Sequence, residues 1–210
     1  MGQCCSFMGK FIPSRSALEM GSTEDELLAG ETMPQVHSMD VDMSAPTITI
    51  GGEIKNEVNG YGLALAEVSA EPDRAYWEWR VKIPNPVPDT LMFGVSNKRN
   101  AKFYEILAES TVPPETQGTK FMCAVPNLND GDVVGVAMQQ SELPMIQLYL
   151  NGEVCDAQVS RFRGTVYPSV YVPQCDAGSI SATFLYRDDQ FIHGPPSEGF
   201  ETLIAERSLM

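Results

Sequence analysis

Along residues 77–83 apolar and charged side chains alternate without a break. Trp77, Trp79, Val81 and Ile83 fall on one side, Glu78, Arg80 and Lys82 on the other, and Pro84 ends the run. This period of two predicts a strand with one buried and one solvated face. On the solvated side, ion pairing with Arg80 and Lys82 accounts for Glu78. Thr47-Ile48-Thr49-Ile50 alternates likewise and stops at Gly51-Gly52, and Phe121, Cys123 and Val125 repeat the pattern. Leu91 to Val95 reads as a strand buried on both faces, and Val133 to Met138 as a further strand opened by Asp130-Gly131-Asp132. Ile146, Leu148 and Leu150 lead into Asn151-Gly152, a dipeptide suited to a hairpin turn because both turn positions need positive φ. Tyr167 to Val172 and Ile180 to Tyr186 complete the set. Many short strands punctuated by Gly and Pro, with few helical stretches, predict an all-β fold, an antiparallel β-sandwich.

Residues 1–46 carry no such alternation. They are rich in Ser, Met, Glu, Asp and Pro, with scope for one short helix over 22–28, and predict a flexible tether ahead of a domain spanning 47–210. The chain opens Met1-Gly2-Gln3-Cys4-Cys5-Ser6. Removing Met1 exposes Gly2, and Ser6 completes an N-myristoylation signal. Cys4 and Cys5 stand where a membrane-resident acyltransferase can palmitoylate them. The pairing is physically apt, because one myristoyl chain binds a bilayer with an association constant of only about 10⁴ M⁻¹ and a second chain makes anchoring stable. A lipid-tethered protein at the cytoplasmic face of a membrane is the expectation.

Charge sharpens this picture. The whole chain carries 14 Lys plus Arg against 28 Asp plus Glu, a net −14. That balance excludes a nucleic-acid partner, which would need clustered cations for phosphate. Both basic residues of the tether, Lys10 and Arg15, precede its first acid, Glu19. The tip is therefore weakly basic while the body repels anionic lipid, so lipidation rather than charge has to anchor it.

Candidate chemistry is sparse. Asp130-Gly131-Asp132 lacks the alternating carboxylates of a calcium loop and reads as a turn that launches a strand. His37 and His193 form no cluster with each other. Cys123 alternates with apolar residues and reads as core, and the thiols are expected to be reduced. No paired carboxylates, phosphate-cradling Gly-rich loop or metal-ligand spacing stands out, so no cofactor, metal or catalytic residue is assigned. Two stretches look like binding surface. Lys98-Arg99-Asn100-Ala101-Lys102 is the densest basic cluster and runs into Phe103 and Tyr104. Val159-Ser160-Arg161-Phe162-Arg163 offers two guanidiniums suited to carboxylates.

The motifs Tyr76-Trp77-Glu78-Trp79, Phe93-Gly94-Val95, Gly131-Asp132-Val133-Val134-Gly135, Leu148-Tyr149-Leu150-Asn151-Gly152 and Tyr167-Pro168 resemble, in order and spacing, those of SPRY (B30.2-like) domains. The likeness covers most of 47–190. A closer likeness to one member of that family is carried by residues 163–168, 170–172 and 194–201. It implies a bent, concanavalin-like jelly-roll sandwich that binds a protein or peptide through loops at one end and is not an enzyme. The Gly2 signal and residues 98–120 depart from the family pattern. The expected function is thus a membrane-anchored adaptor, monomeric on its own, with Lys98, Arg99, Lys102, Phe103, Tyr104, Arg161 and Arg163 as partner contacts. The alternatives are a glycan-binding or hydrolytic sandwich, or a structural subunit of a ciliary or cytoskeletal assembly.

Overall fold

A computed structural model describes residues 38–85, 91–97 and 121–203. The described residues form eleven strands, and their one helical element is a 3₁₀ turn at Asp188–Gln190. The strands are β1 (Ile48–Gly51), β2 (Glu57–Gly60), β3 (Gly62–Leu65), β4 (Arg74–Lys82), β5 (Met92–Ser96), β6 (Met122–Ala124), β7 (Val133–Gln139), β8 (Met145–Leu150), β9 (Glu153–Ser160), β10 (Tyr167–Val172) and β11 (Ser181–Leu185). They pair antiparallel into a seven-stranded sheet, order β1-β2-β11-β4-β7-β8-β9, and a four-stranded sheet, order β3-β10-β5-β6. The expected sandwich is what forms.

The core lies between the sheets, where the alternating positions meet. Trp77, Trp79 and Val81 of β4, Phe93 of β5 and Val170 of β10 are all fully buried there. Trp79 packs against Phe184 of β11 with ring centroids 4.6 Å apart. Asn151 (φ 51°) and Gly152 (φ 83°) form the anticipated turn between β8 and β9. The Asn151 side chain holds that turn by accepting from the Val133 amide and donating to Asp132. Asp130 accepts from the Ile83 amide and Asp132 from that of Asn129, so these acids close turns. Cys123, Cys155 and Cys175 are free thiols. Burial pushes the Cys123 thiol up to about 12, with Cys155 adding to the effect, as befits a packing group.

Two expectations are corrected. The packed chain begins before 47, because Met39 is fully buried, bridges Ala66, and is followed by hydrogen bonds from the Asp40 and Ala45 amides to Leu65 and Leu63. Residues 38–46 thus pair along the edge of β3 and belong to the sandwich. The remainder of the tether, with Gly2, Cys4 and Cys5, lies outside the described residues.

The second correction concerns Glu78. It does not sit in solvent beside Arg80 and Lys82; it is fully buried. Tyr76 donates its hydroxyl to Glu78 Oε1 (3.0 Å), and the amides of His193 and Gly194 donate to the same oxygen at 3.0 and 2.8 Å. The Ile192 amide donates to Oε2 at 2.6 Å. The chain after β11 crosses the outer face of the seven-stranded sheet and supplies these three consecutive amides. It then pairs at Glu201 with the backbone of Arg74 and Tyr76. A carboxylate is tolerated in this place because its lone pairs are filled by donors.

Candidate interaction surface

Strand direction sorts the loops into two ends. β4 starts and β7 ends where Arg74 faces Gln139, and β5 ends where Ser96 faces Tyr167 at the start of β10. One end of the sandwich is therefore built from residues 66–73, 140–144 and 161–166 and from the two ends of the β5–β6 connection. These loops are laced together rather than hanging free. Gln140 donates its amide side chain to the carbonyls of Ala70 and Pro72 at 2.8 and 2.9 Å, and its main-chain N–H to Asp73. The Ser141 hydroxyl donates to the Asp73 carboxylate (2.8 Å). The Arg161 amide donates to the Pro144 carbonyl, and that of Ala70 to Val166. Such cross-ties fix backbone that would otherwise lose affinity through ordering on contact with a ligand.

Within this rim, Phe162 is the anchor. It is buried and meets Phe121 edge-on with centroids 6.2 Å apart. With Phe162 turned into the core, Arg161 (φ 67°) and Arg163 on either side project outward, and both are exposed. Neither guanidinium has a carboxylate partner among the described residues. Beside them stand exposed Glu67, Glu71, Asp73 and Glu142, and Leu143, 79% exposed. The rim thus presents two cations without a carboxylate partner among the described residues, several exposed acids and one exposed apolar side chain. Among the described residues no three His, Cys, Asp or Glu side chains gather into a metal-binding group.

The sequence singled out Arg161 and Arg163, and the fold places them on this rim. Lys98, Arg99, Lys102, Phe103 and Tyr104 lie outside the described residues. Their connection nevertheless leaves β5 at Ser96, whose register partner Tyr167 stands four positions beyond Arg163. Topology thereby brings the flanks of both predicted stretches to one end. Sequence reasoning missed Leu143 and Gln140. The only local sign was the cluster of polar residues and Pro144 between two apolar runs, which marks a turn without saying which loops it meets.

Comparison with known proteins agrees with this architecture. No family model matches the chain. SPRY domain-containing protein 7 of Homo sapiens is 39% identical over 80 residues, which is 38% of this chain and 36% of the relative. The Gallus gallus protein matches to the same extent. The matched stretch therefore spans about a third of the length of these curated relatives. Among solved structures, the SPRY domain of human HERC1 superimposes with a TM-score of 0.51 at 14% identity, covering 70% of this chain and 96% of that one. The Drosophila melanogaster neuralized NHR1 domain gives 0.52 at 10%, covering 68% and 94%. Strand order, sandwich and solved neighbours together show that the chain has the SPRY fold, with sequence similarity to SPRY domain-containing protein 7.

Proposed function

We propose that this protein is a membrane-tethered interaction module whose loop rim captures a protein or peptide partner. SPRY domains are in general protein–protein interaction modules, and the single observation that carries the reading here is the Arg161–Phe162–Arg163 loop. Two exposed guanidiniums with no carboxylate partner among the described residues flank a buried anchor on a rim tied by cross-loop hydrogen bonds. Arginine presents a planar fork of donors that matches a carboxylate in two places at once, so the partner segment is read as acidic where it meets this loop. Lys98, Arg99 and Lys102 would extend the same preference if their connection returns to this end.

The tether adds the second half of the reading. Acylation of Gly2 with Cys4 or Cys5 would confine the rim to a membrane surface and raise its effective concentration for partners held there. The test is affinity capture from membranes with the intact N-terminus, set against Gly2→Ala and against the double substitution Arg161→Glu, Arg163→Glu. The expected outcome is that Gly2→Ala moves the protein to the soluble fraction and that the double charge reversal loses the captured partner while staying on membranes. Unchanged fractionation of Gly2→Ala removes the anchoring half, and undiminished capture by the charge-reversed protein removes the binding half.

A further inference from the structure

The seven-stranded sheet ends at β9, and this edge differs from the other sheet edges among the described residues. The edge at β3 is taken by residues 39–45. β6 is three residues long and β1 four. β9 runs for eight, Glu153–Ser160, with nothing paired to its far side among the described residues.

Its backbone direction follows from its contacts with β8. Gln147 donates its side-chain amide to the carbonyls of Cys155 (2.7 Å) and Ala157 (3.3 Å), filling the register shift between the two strands. Cys155 and Ala157 therefore turn their main-chain groups toward β8. Because direction alternates along a strand, Val154, Asp156 and Gln158 turn theirs away, to the open edge. The side chains of these three are exposed, Val154 by 68%.

Natural sheets blunt a long edge with Lys, Pro, a covering segment or very short strands, because unpaired N–H and C=O groups template any passing strand. β9 contains neither Lys nor Pro, and its irregularity faces inward, where Gln147 repairs it. We infer that the β9 edge is a second docking surface, one that pairs with an extended partner segment through Asp156 and Gln158 main-chain groups. Charge selects the partner. The edge carries Glu153 and Asp156 with no cation, so the fitting segment places a basic side chain opposite Asp156 and an apolar one opposite Val154. A second copy of this chain fits less well, since each carries a net −14 and would bring another acidic edge. This edge runs into the arginine loop at Ser160, but the pairing uses β9 main-chain groups and none of that loop's side chains.

The probe is a short capped peptide of alternating Thr and Val with one central Lys, added to the full chain while amide hydrogen exchange is followed by NMR. The Asp156 and Gln158 amides are expected to exchange at least about ten-fold more slowly with the peptide. The Glu-for-Lys peptide and an N-methylated version should leave them unchanged. Asp156→Pro removes the outward N–H and should abolish binding. Should that variant fail to keep the exchange protection of β4 and β7, Val154→Lys, which repels the basic peptide from an intact strand, decides instead. Exchange slowed only in residues 140–144 and 161–166, equal binding by the Glu peptide, undiminished binding by the deciding variant, or concentration-dependent protection of these amides without peptide would each overturn the inference.

Discussion

Burying a carboxylate away from any cation is costly unless donors fill its lone pairs, and around Glu78 one hydroxyl and three amides do so. The site is built on a missing side chain. Gly135 lies opposite Glu78 in the β4–β7 register, and a Cβ there would stand 2.5 Å from the Tyr76 hydroxyl. Gly135→Ala is therefore expected to push Tyr76 off Glu78 and cost roughly 1–3 kcal/mol. In a Tyr76→Phe background, where no hydroxyl remains to collide, the same change should cost markedly less. Urea unfolding of the four proteins of this cycle measures the coupling, and strict additivity would refute the contact. Cys123 gives a second prediction. Above about pH 9 the unfolded chain sheds this thiol proton while the folded chain keeps it to about 12. The unfolded state then binds fewer protons, so stability falls as pH rises through that window. Burial and the neighbouring Glu78 raise the Tyr76 phenol too, which acts in the same direction. Thermal melts from pH 8 to 11 should show a falling Tm, with a shallower fall for Cys123→Ser if that protein keeps the fold.

At the scale of elements, the strands were legible because alternation is a local property. β4 could be read from Trp77 to Lys82 without knowing its neighbours, and the β8–β9 turn from Asn151-Gly152 alone. The buried outer face of β4 was not legible, because its cover arrives from residues 114 to 116 positions later in the chain. No pattern around Glu78 foretells those amides. The mid-strand Gly135 was the available hint, since glycine in a strand marks a close approach. Likewise residues 38–46 looked like tether by composition, and only their pairing with β3 shows otherwise. The chain from Phe191 to Leu203 behaves as one strap. It is pinned at Glu78, by the Phe191 ring edge-on to Tyr76 at 5.2 Å, and at Glu201, while most of its side chains remain exposed. Glu78→Gln replaces one acceptor oxygen by a donor aimed at other donors. It is expected to cost about 1–3 kcal/mol and to speed exchange at the Ile192, His193 and Gly194 amides while β4–β7 amides keep their protection. Uniform loss of protection would instead mean that the strap and the sheet unfold as one unit.

For the whole molecule, topology divides the labour between the ends of the sandwich. The end near Gly152 is closed down: its Asx side chains are spent on turns, and the His193 ring lies over Gly152. The opposite end presents Arg161, Arg163 and Leu143, exposed and with no carboxylate partner for either arginine among the described residues, on a rim held by Gln140, Ser141 and Phe162. The candidate site was half legible. Arg161 and Arg163 stood out as cations in an acidic chain, but their convergence with residues 140–144 depends on strand pairing across the sandwich. The sharpest test replaces Leu143 with a photo-crosslinking benzoylphenylalanine in the full chain expressed in cells, alongside the same probe at Thr49 on the far edge of the seven-stranded sheet. A partner crosslinked from position 143, absent from position 49 and lost on charge reversal of Arg161 and Arg163, is the result expected. Crosslinking from position 49 alone, or a position-143 product indifferent to both arginines, would contradict it.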